Sequence, residues 1–293
     1  MARQLAELMP LLVALVLLTS CSGGTTPPAA QTTAPGTASP EGTASGTTST
    51  TATPSPSAPA PPPTTLKAAA PAPAEDLAAN RDSMYCPPGA TADCRSYADM
   101  AGYFENLIGV VAPLFDERYG AAARPAAFYY VAAGLTGPTP CVQDDGTPEP
   151  YTSTDYSYCA ADRAIYVGQD ALWAVYGGVG LAAPAVAYAH EWGHHVQTVM
   201  NVPEPESPEE NALLEQQADC IAGAWAQHAA QAGNLNYPAD LGDLNAVMAA
   251  VAPPGPGDDV IPVAERVAEF QLGYTGGLAA CNSFFPETPV YAG

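Results

Sequence analysis

Residues 183–201 read "APAVAYAHEWGHHVQTVMN", and how this stretch is read decides the rest. It has the length and composition of one helix, stopped by Pro203. Histidine is scarce in the chain, 4 in 293 residues, and His190, His194 and His195 all fall here. On a helix, His190 and His194 share one face a turn apart, as two zinc ligands require. Glu191 lies about 100° further round, where it reaches a metal-bound water rather than the metal. This is the HExxH pattern: two histidines hold zinc and the glutamate takes the proton of the water. The pattern also occurs in ordinary helices, and a histidine on an apolar face is often just a core residue. A third ligand therefore decides between the two readings.

A catalytic zinc takes three protein ligands and keeps one position open. The HExxHxxGxxH arrangement needs Gly at 197 and His at 200, where this chain has Gln197 and Met200. His195 points away from His194 round the helix. What remains is an acid on a second helix, and residues 207–233 offer one. Ser207 reads as its cap, Pro208 as its first position, Glu210 as the partner in a capping box and Gly233 as its end. Within it, "LEQQAD" puts Glu215 and Asp219 on one face. The break at Pro203 lets this helix pack beside the first. Glu215 as ligand, with Asp219 orienting a histidine through its other ring nitrogen, fills both coordination shells. Asp219 as the third ligand is the alternative geometry. Two solvated acids on an acidic helix would be the bland reading, but the "CIAGAWA" that follows is apolar.

The remainder of the folded part reads as α+β, a mostly helical body with a small antiparallel sheet. Helices are expected over 97–119 (bent or split at Pro113), 170–180, 237–252 and 261–274. Residues 125–134 read as a strand, 135–155 as a loop, and 156–168 as a hairpin turning at "CAADR".

Four segments, "HEWGHHVQ", "EQQADCIAGAWA", "SYCAADRAIYV" and "FQLGYTGGLAACNSFF", resemble the bacterial neutral zinc metallopeptidase family. In that family the first two read close to HEYGHHVQ and ELQADCxAGxWA. The resemblance spans roughly residues 95–285, with the four segments in the family's order. It implies a zincin-like fold with a gluzincin-like site: His190, His194 and Glu215 as ligands, one Zn2+ per chain, and Glu191 as base. The chain departs from the family in Trp192, where a tyrosine is usual, and in a long acidic loop between Cys141 and Cys159.

The first twenty residues look like an export signal, with Arg3 before an apolar run from Met9 to Leu18. "LTSC" then resembles a lipobox that would make Cys21 a lipidated N-terminus. The run is short against the about 20 residues of a membrane-spanning helix. Residues 22–80, almost wholly Thr, Pro, Ser, Ala and Gly, are expected to be a disordered tether reaching on the order of 40 Å. The expected organisation is thus a signal at 1–20, lipidated cysteine and linker at 21–81, and the metallopeptidase-like domain at 82–293. Thirty acidic against 8 basic residues give a net charge of −22, which disfavours nucleic acid and anionic headgroups as partners. Membrane attachment would come through the lipid alone. Six further cysteines suit an exported, disulfide-bonded domain, and spacing favours Cys86–Cys94 and Cys141–Cys159, leaving Cys220–Cys281.

The expected function is hydrolysis of peptide bonds in a peptide or protein substrate outside the cytoplasm, the protein being held to the bacterial cell membrane by its lipid. A zinc-stabilised, non-catalytic binding lipoprotein is the alternative, and a metal-free adhesion module a third. "AIYVG" (164–168) is a candidate edge strand for substrate, and Tyr188 or Tyr274 a candidate oxyanion donor. Gly193 would allow close packing of the second helix, His195 would bond a nearby backbone, and His228 reads as a surface residue. The sequence leaves oligomeric state, cleavage preference and regulation by the 141–159 loop open.

Overall fold

The computed structural model describes residues 64–65, 81, 83–86, 94–142, 146–180, 182–251 and 261–293. The stretch read as a signal, Cys21 and most of the stretch read as tether lie outside the described residues. Strand β1 (Thr64–Thr65) falls within the stretch read as tether. The short pair β2 (Met84–Tyr85) and β3 (Arg95–Ser96) then leads into helix α1 (Met100–Tyr119). The helix runs through Pro113 without splitting. Pro113 and Gly109, whose carbonyl loses its N–H partner to the proline, both lie on the exposed face, where water can take the place of that bond.

Strand β4 (Ala127–Val131) is followed by β5 (Thr136–Val142) and β6 (Pro148–Thr152), an antiparallel pair where a loop was expected. Its register shifts between Pro138 and Val142, the irregularity that a proline-bearing strand demands. Then come β7 (Tyr156–Cys159) and β8 (Ala164–Gly168), the hairpin that turns at "CAADR". The main sheet has the order β1-β4-β8-β7, with β1–β4 and β4–β8 parallel and β7–β8 antiparallel. The class is α+β, with a sheet of mixed rather than purely antiparallel pairing. All five residues of β8 are buried and it pairs with both β4 and β7, so "AIYVG" is an interior strand and β7 is the edge on that side.

Five helices follow: α2 (Gln169–Gly178), α3 (Ala183–Val199), α4 (Pro208–Gln231), α5 (Leu244–Val251) and α6 (Val263–Ala280). Ser207 Oγ accepts the Glu210 N–H at 3.2 Å. Glu210 reaches back to the Glu206 N–H at 2.7 Å, one residue beyond the usual box. At the front of the body, Asp170 on α2, fully buried, accepts from Arg81, Tyr97 and Ser153 and so anchors the start of the folded part. Trp192 stacks on Phe115 with centroids 4.9 Å apart, which turns that face of α3 into the core.

Cys86 with Cys94, Cys141 with Cys159, and Cys220 with Cys281 stand at disulfide distance, a complement that points to an oxidising, extracytoplasmic environment. Among the described residues no helix is long and apolar enough to cross a membrane.

Helices α4 and α6 touch backbone to backbone. A Cβ at Gly223 would lie 1.9 Å from the Phe270 carbonyl oxygen, and one at Gly273 1.8 Å from that of Cys220. Neither oxygen can yield without moving a helix. Gly273→Ala should therefore destabilise by about 3 kcal/mol in urea unfolding. Gly102→Ala, exposed in α1 with nothing within 4 Å of the added methyl, should stabilise by about 0.5 kcal/mol.

Candidate metal centre

Helices α3 and α4 meet where side chains are small. A Cβ at Gly193 would lie 3.0 Å from the Ala218 Cα, so any larger residue would push the helices apart. This is the close packing expected of Gly193. It brings the "LEQQAD" face of α4 against the histidine face of α3. His190 Nε2 then lies 3.2 Å from Glu215 Oε2, His194 Nε2 3.5 Å from Glu215 Oε1, and the two Nε2 atoms 3.1 Å apart.

The far side of each ring fixes which nitrogen carries the proton. His190 Nδ1 stands 2.9 Å from Asp219 Oδ1. Asp219 is fully buried, and Arg266 on α6 donates Nη2–H to Oδ1 and Nε–H to Oδ2, each at 2.7 Å. Both carboxylate oxygens are thus acceptors, and Nδ1 of His190 must donate. His194 Nδ1 faces Gln197 Oε1 at 2.9 Å. Nδ1–H on both rings leaves both Nε2 lone pairs turned inward, at each other and at Glu215.

Two imidazole lone pairs and a carboxylate this close repel one another unless a cation sits among them. Ligand atoms about 2.0–2.2 Å from a tetrahedral zinc are about 3.3–3.6 Å apart, close to the spacings here. His190, His194 and Glu215 form a group able to hold a metal ion. The field says the same. Burial opposes charge on His190, but Asp219 and Glu215 outweigh it and raise its pKa to about 10. Burial likewise opposes charge on Glu215, yet His194, His190 and Arg266 bring it down to about 2. Both shifts mark the pocket as one that favours positive charge.

Glu191 is 5% exposed beside this group. Burial pushes its pKa up to about 8, against the lowering effects of His190 and of a backbone hydrogen bond from Tyr158. A cleft of ≈ 220 Å³ opens at His194 and Glu215, walled by Tyr158, Thr198, Val202 and Leu214, with exposed Glu204 at its mouth.

Neither Tyr188 nor Tyr274 lines that cleft. Tyr188 is fully buried among core aromatics, and Tyr274 stacks on Tyr237. His195 points away from the group: its Nε2–H donates to the Ala123 carbonyl at 2.7 Å, and its Nδ1 accepts from Tyr158 at 3.1 Å. His228 is partly exposed and bonds Glu117 at 3.3 Å. Sequence reasoning missed Arg266, Gln197, Gln217 and Tyr158. The one available signal was Arg266 itself, an arginine on an apolar and acidic helix in a chain with only 8 basic residues.

Two histidines, one glutamate and an open side describe a three-ligand centre of the kind that catalytic zinc enzymes use. The chain belongs to the family described as "Putative neutral zinc metallopeptidase", whose model matches residues 136–284. It is also similar to two proteins named "Uncharacterized protein YpfJ", from Escherichia coli strain K12 and from strain CFT073 of Escherichia coli O6:H1. Each is 30% identical over 158 residues, covering 43% of this chain and 53% of the relative. The chain therefore spans about half the length of these curated relatives. No solved structure matches.

Removing Arg266 would leave Asp219 as a buried carboxylate without its bidentate partner. Arg266→Leu should lower stability by about 3–5 kcal/mol in urea unfolding. Arg266→Lys should recover little, because an ammonium cannot span both oxygens. A loss under about 1 kcal/mol would contradict the anchoring role.

Proposed function

We propose that the protein is a zinc-dependent peptidase acting outside the cytoplasm, with His190, His194 and Glu215 holding the metal and Glu191 as general base. One observation carries the reading: two imidazole nitrogens and a carboxylate converge, with ligand atoms within 4.8 Å of one another, beside a buried carboxylate and an open cleft. Family membership supports the same class. Zinc bound there would lower the pKa of its water to about 7 and polarise a carbonyl.

The rest of the chemistry belongs to the chain. Burial raises the Glu191 pKa to about 8, and a cation held beside it would oppose that rise and leave a carboxylate able to take a proton from the attacking water near neutral pH. Once protonated, it is acid enough to pass that proton to the leaving amine. Asp219 and Gln197 hold the two rings by Nδ1. The substrate backbone would add along the free side of β7, the edge strand, where Tyr158 and Ala160 line the cleft. The Cys141–Cys159 link ties β5 to the end of β7, so the β5–β6 pair would flank a bound peptide. A lipid on Cys21 and the tether after it would hold the domain off the membrane surface.

The alternative, a zinc-stabilised binding lipoprotein, calls for a fourth protein ligand that closes the metal. Asp219, the other acid on the same face as Glu215, cannot serve, because its oxygens are engaged by His190 and Arg266. Glu191 would also have no task there.

Glu191→Gln should keep its zinc and lose peptidase activity by about 10²–10⁴-fold, the range of general acid–base catalysis. Zinc content and the rate of cleavage of a casein-derived peptide pool would be measured on the same preparation. Full activity in that variant would sink the mechanism.

A further inference from the structure

His194 is held differently from His190. Where His190 meets a carboxylate locked by arginine, His194 meets a neutral amide. Gln197 is 4% exposed, on the same helix three residues on, and both ends of its amide are engaged. Its Oε1 faces His194 Nδ1 at 2.9 Å, and its Nε2 faces the Leu214 carbonyl at 2.7 Å and Gln217 Oε1 at 3.1 Å. Gln217, fully buried on α4, turns its own Nε2 to the Cys281 carbonyl at 2.9 Å.

The direction of this chain of bonds is forced. Backbone carbonyls can only accept. Leu214 therefore requires the NH₂ end of Gln197, and Cys281 the NH₂ end of Gln217. That turns Oε1 of Gln197 to His194, so His194 must carry its proton on Nδ1 and present a bare Nε2 to the site. An amide flipped at either residue would set donor against donor, or carbonyl against carbonyl, in a buried place.

We propose that Gln197 and Gln217 are positioning residues, an amide relay hung from two backbone carbonyls that fixes the tautomer and orientation of His194 for metal. The proposal rests on the metal-centre reading above and adds to it what sets the affinity. The relay also joins the ends of the site. It runs from α3 across α4 to the start of the segment after α6, where Cys281 meets Cys220, the neighbour of Asp219. Both supports, Asp219 for His190 and Gln217 for His194, thus flank Ala218 on α4, the residue on which Gly193 packs.

The test compares wild type, Gln197→Leu and Gln197→Glu with two readouts. Both variants give up the donations to Leu214 and Gln217, so both should lose thermal stability without metal. Only the glutamate keeps an acceptor at Nδ1. Zinc affinity, from competition with a chromophoric chelator, should weaken by about 10–100-fold in Gln197→Leu and by less than about 3-fold in Gln197→Glu. Equal affinity in wild type and Gln197→Leu, or equal weakening in the two variants, would overturn the relay.

The second readout needs no metal. Nitrogen-15 chemical shifts of the metal-free wild type should show His194 protonated on Nδ1, and Gln197→Leu should show a mixture of tautomers. The opposite tautomer in wild type would overturn the relay even if zinc binds. A wild type that binds no zinc but shows the Nδ1 tautomer would bring down the metal reading and, with it, the relay's role in affinity.

Discussion

The closeness of α3 to α4 at Gly193 and Ala218 is the constraint on which the site depends. Ligand atoms a few ångströms apart must come from two helices, and helix axes normally stand 8–10 Å apart. A Cβ at Gly193 would already press on the Ala218 Cα at 3.0 Å. The contact lies one turn from Glu215 and within one residue of both His194 and Asp219. Gly223 and Gly273 repeat the device between α4 and α6, and that second contact brings Arg266 to Asp219. Glycine costs helix stability at each such position, roughly 1 kcal/mol against alanine. In return, three helices lie close enough for one set of side chains to reach across all of them.

Close packing alone would leave the imidazoles free to choose a tautomer. Groups that cannot change their character remove the choice. On one side these are the guanidinium of Arg266, which only donates, and on the other the carbonyls of Leu214 and Cys281, which only accept. Each fixes a neighbour, and each neighbour fixes a ring. The result is a buried convergence of lone pairs suited to a cation. Function thus begins as an electrostatic defect that the fold holds in place.

The parts of this arrangement that repeat at short range were legible in the sequence. The spacings 190–194 and 215–219 set pairs of side chains on common faces, and Ser207, Pro208 and Glu210 marked where the second helix begins. The hairpin at 156–168 was readable from its alternation. Partners distant along the chain were not readable: Arg266 lies 47 residues from Asp219, and no local pattern joins them. Gln197 entered the sequence argument only as a position lacking glycine, since a neutral amide gives no charge or periodicity signal. The prolines of β5 masked a strand, because proline is scarce in sheets. "AIYVG" was taken for an edge because a parallel neighbour, β4, comes from 37 residues earlier in the register, Ala127 opposite Ala164.

The central claim is that His190, His194 and Glu215 together make a zinc centre. Metal content by mass spectrometry, on the wild-type protein and Glu215→Ala purified in parallel, tests it most directly. The account predicts about one zinc per chain in the wild type and little in the variant, since a catalytic zinc needs three protein ligands. Zinc in neither protein, or the same amount in both, would contradict it.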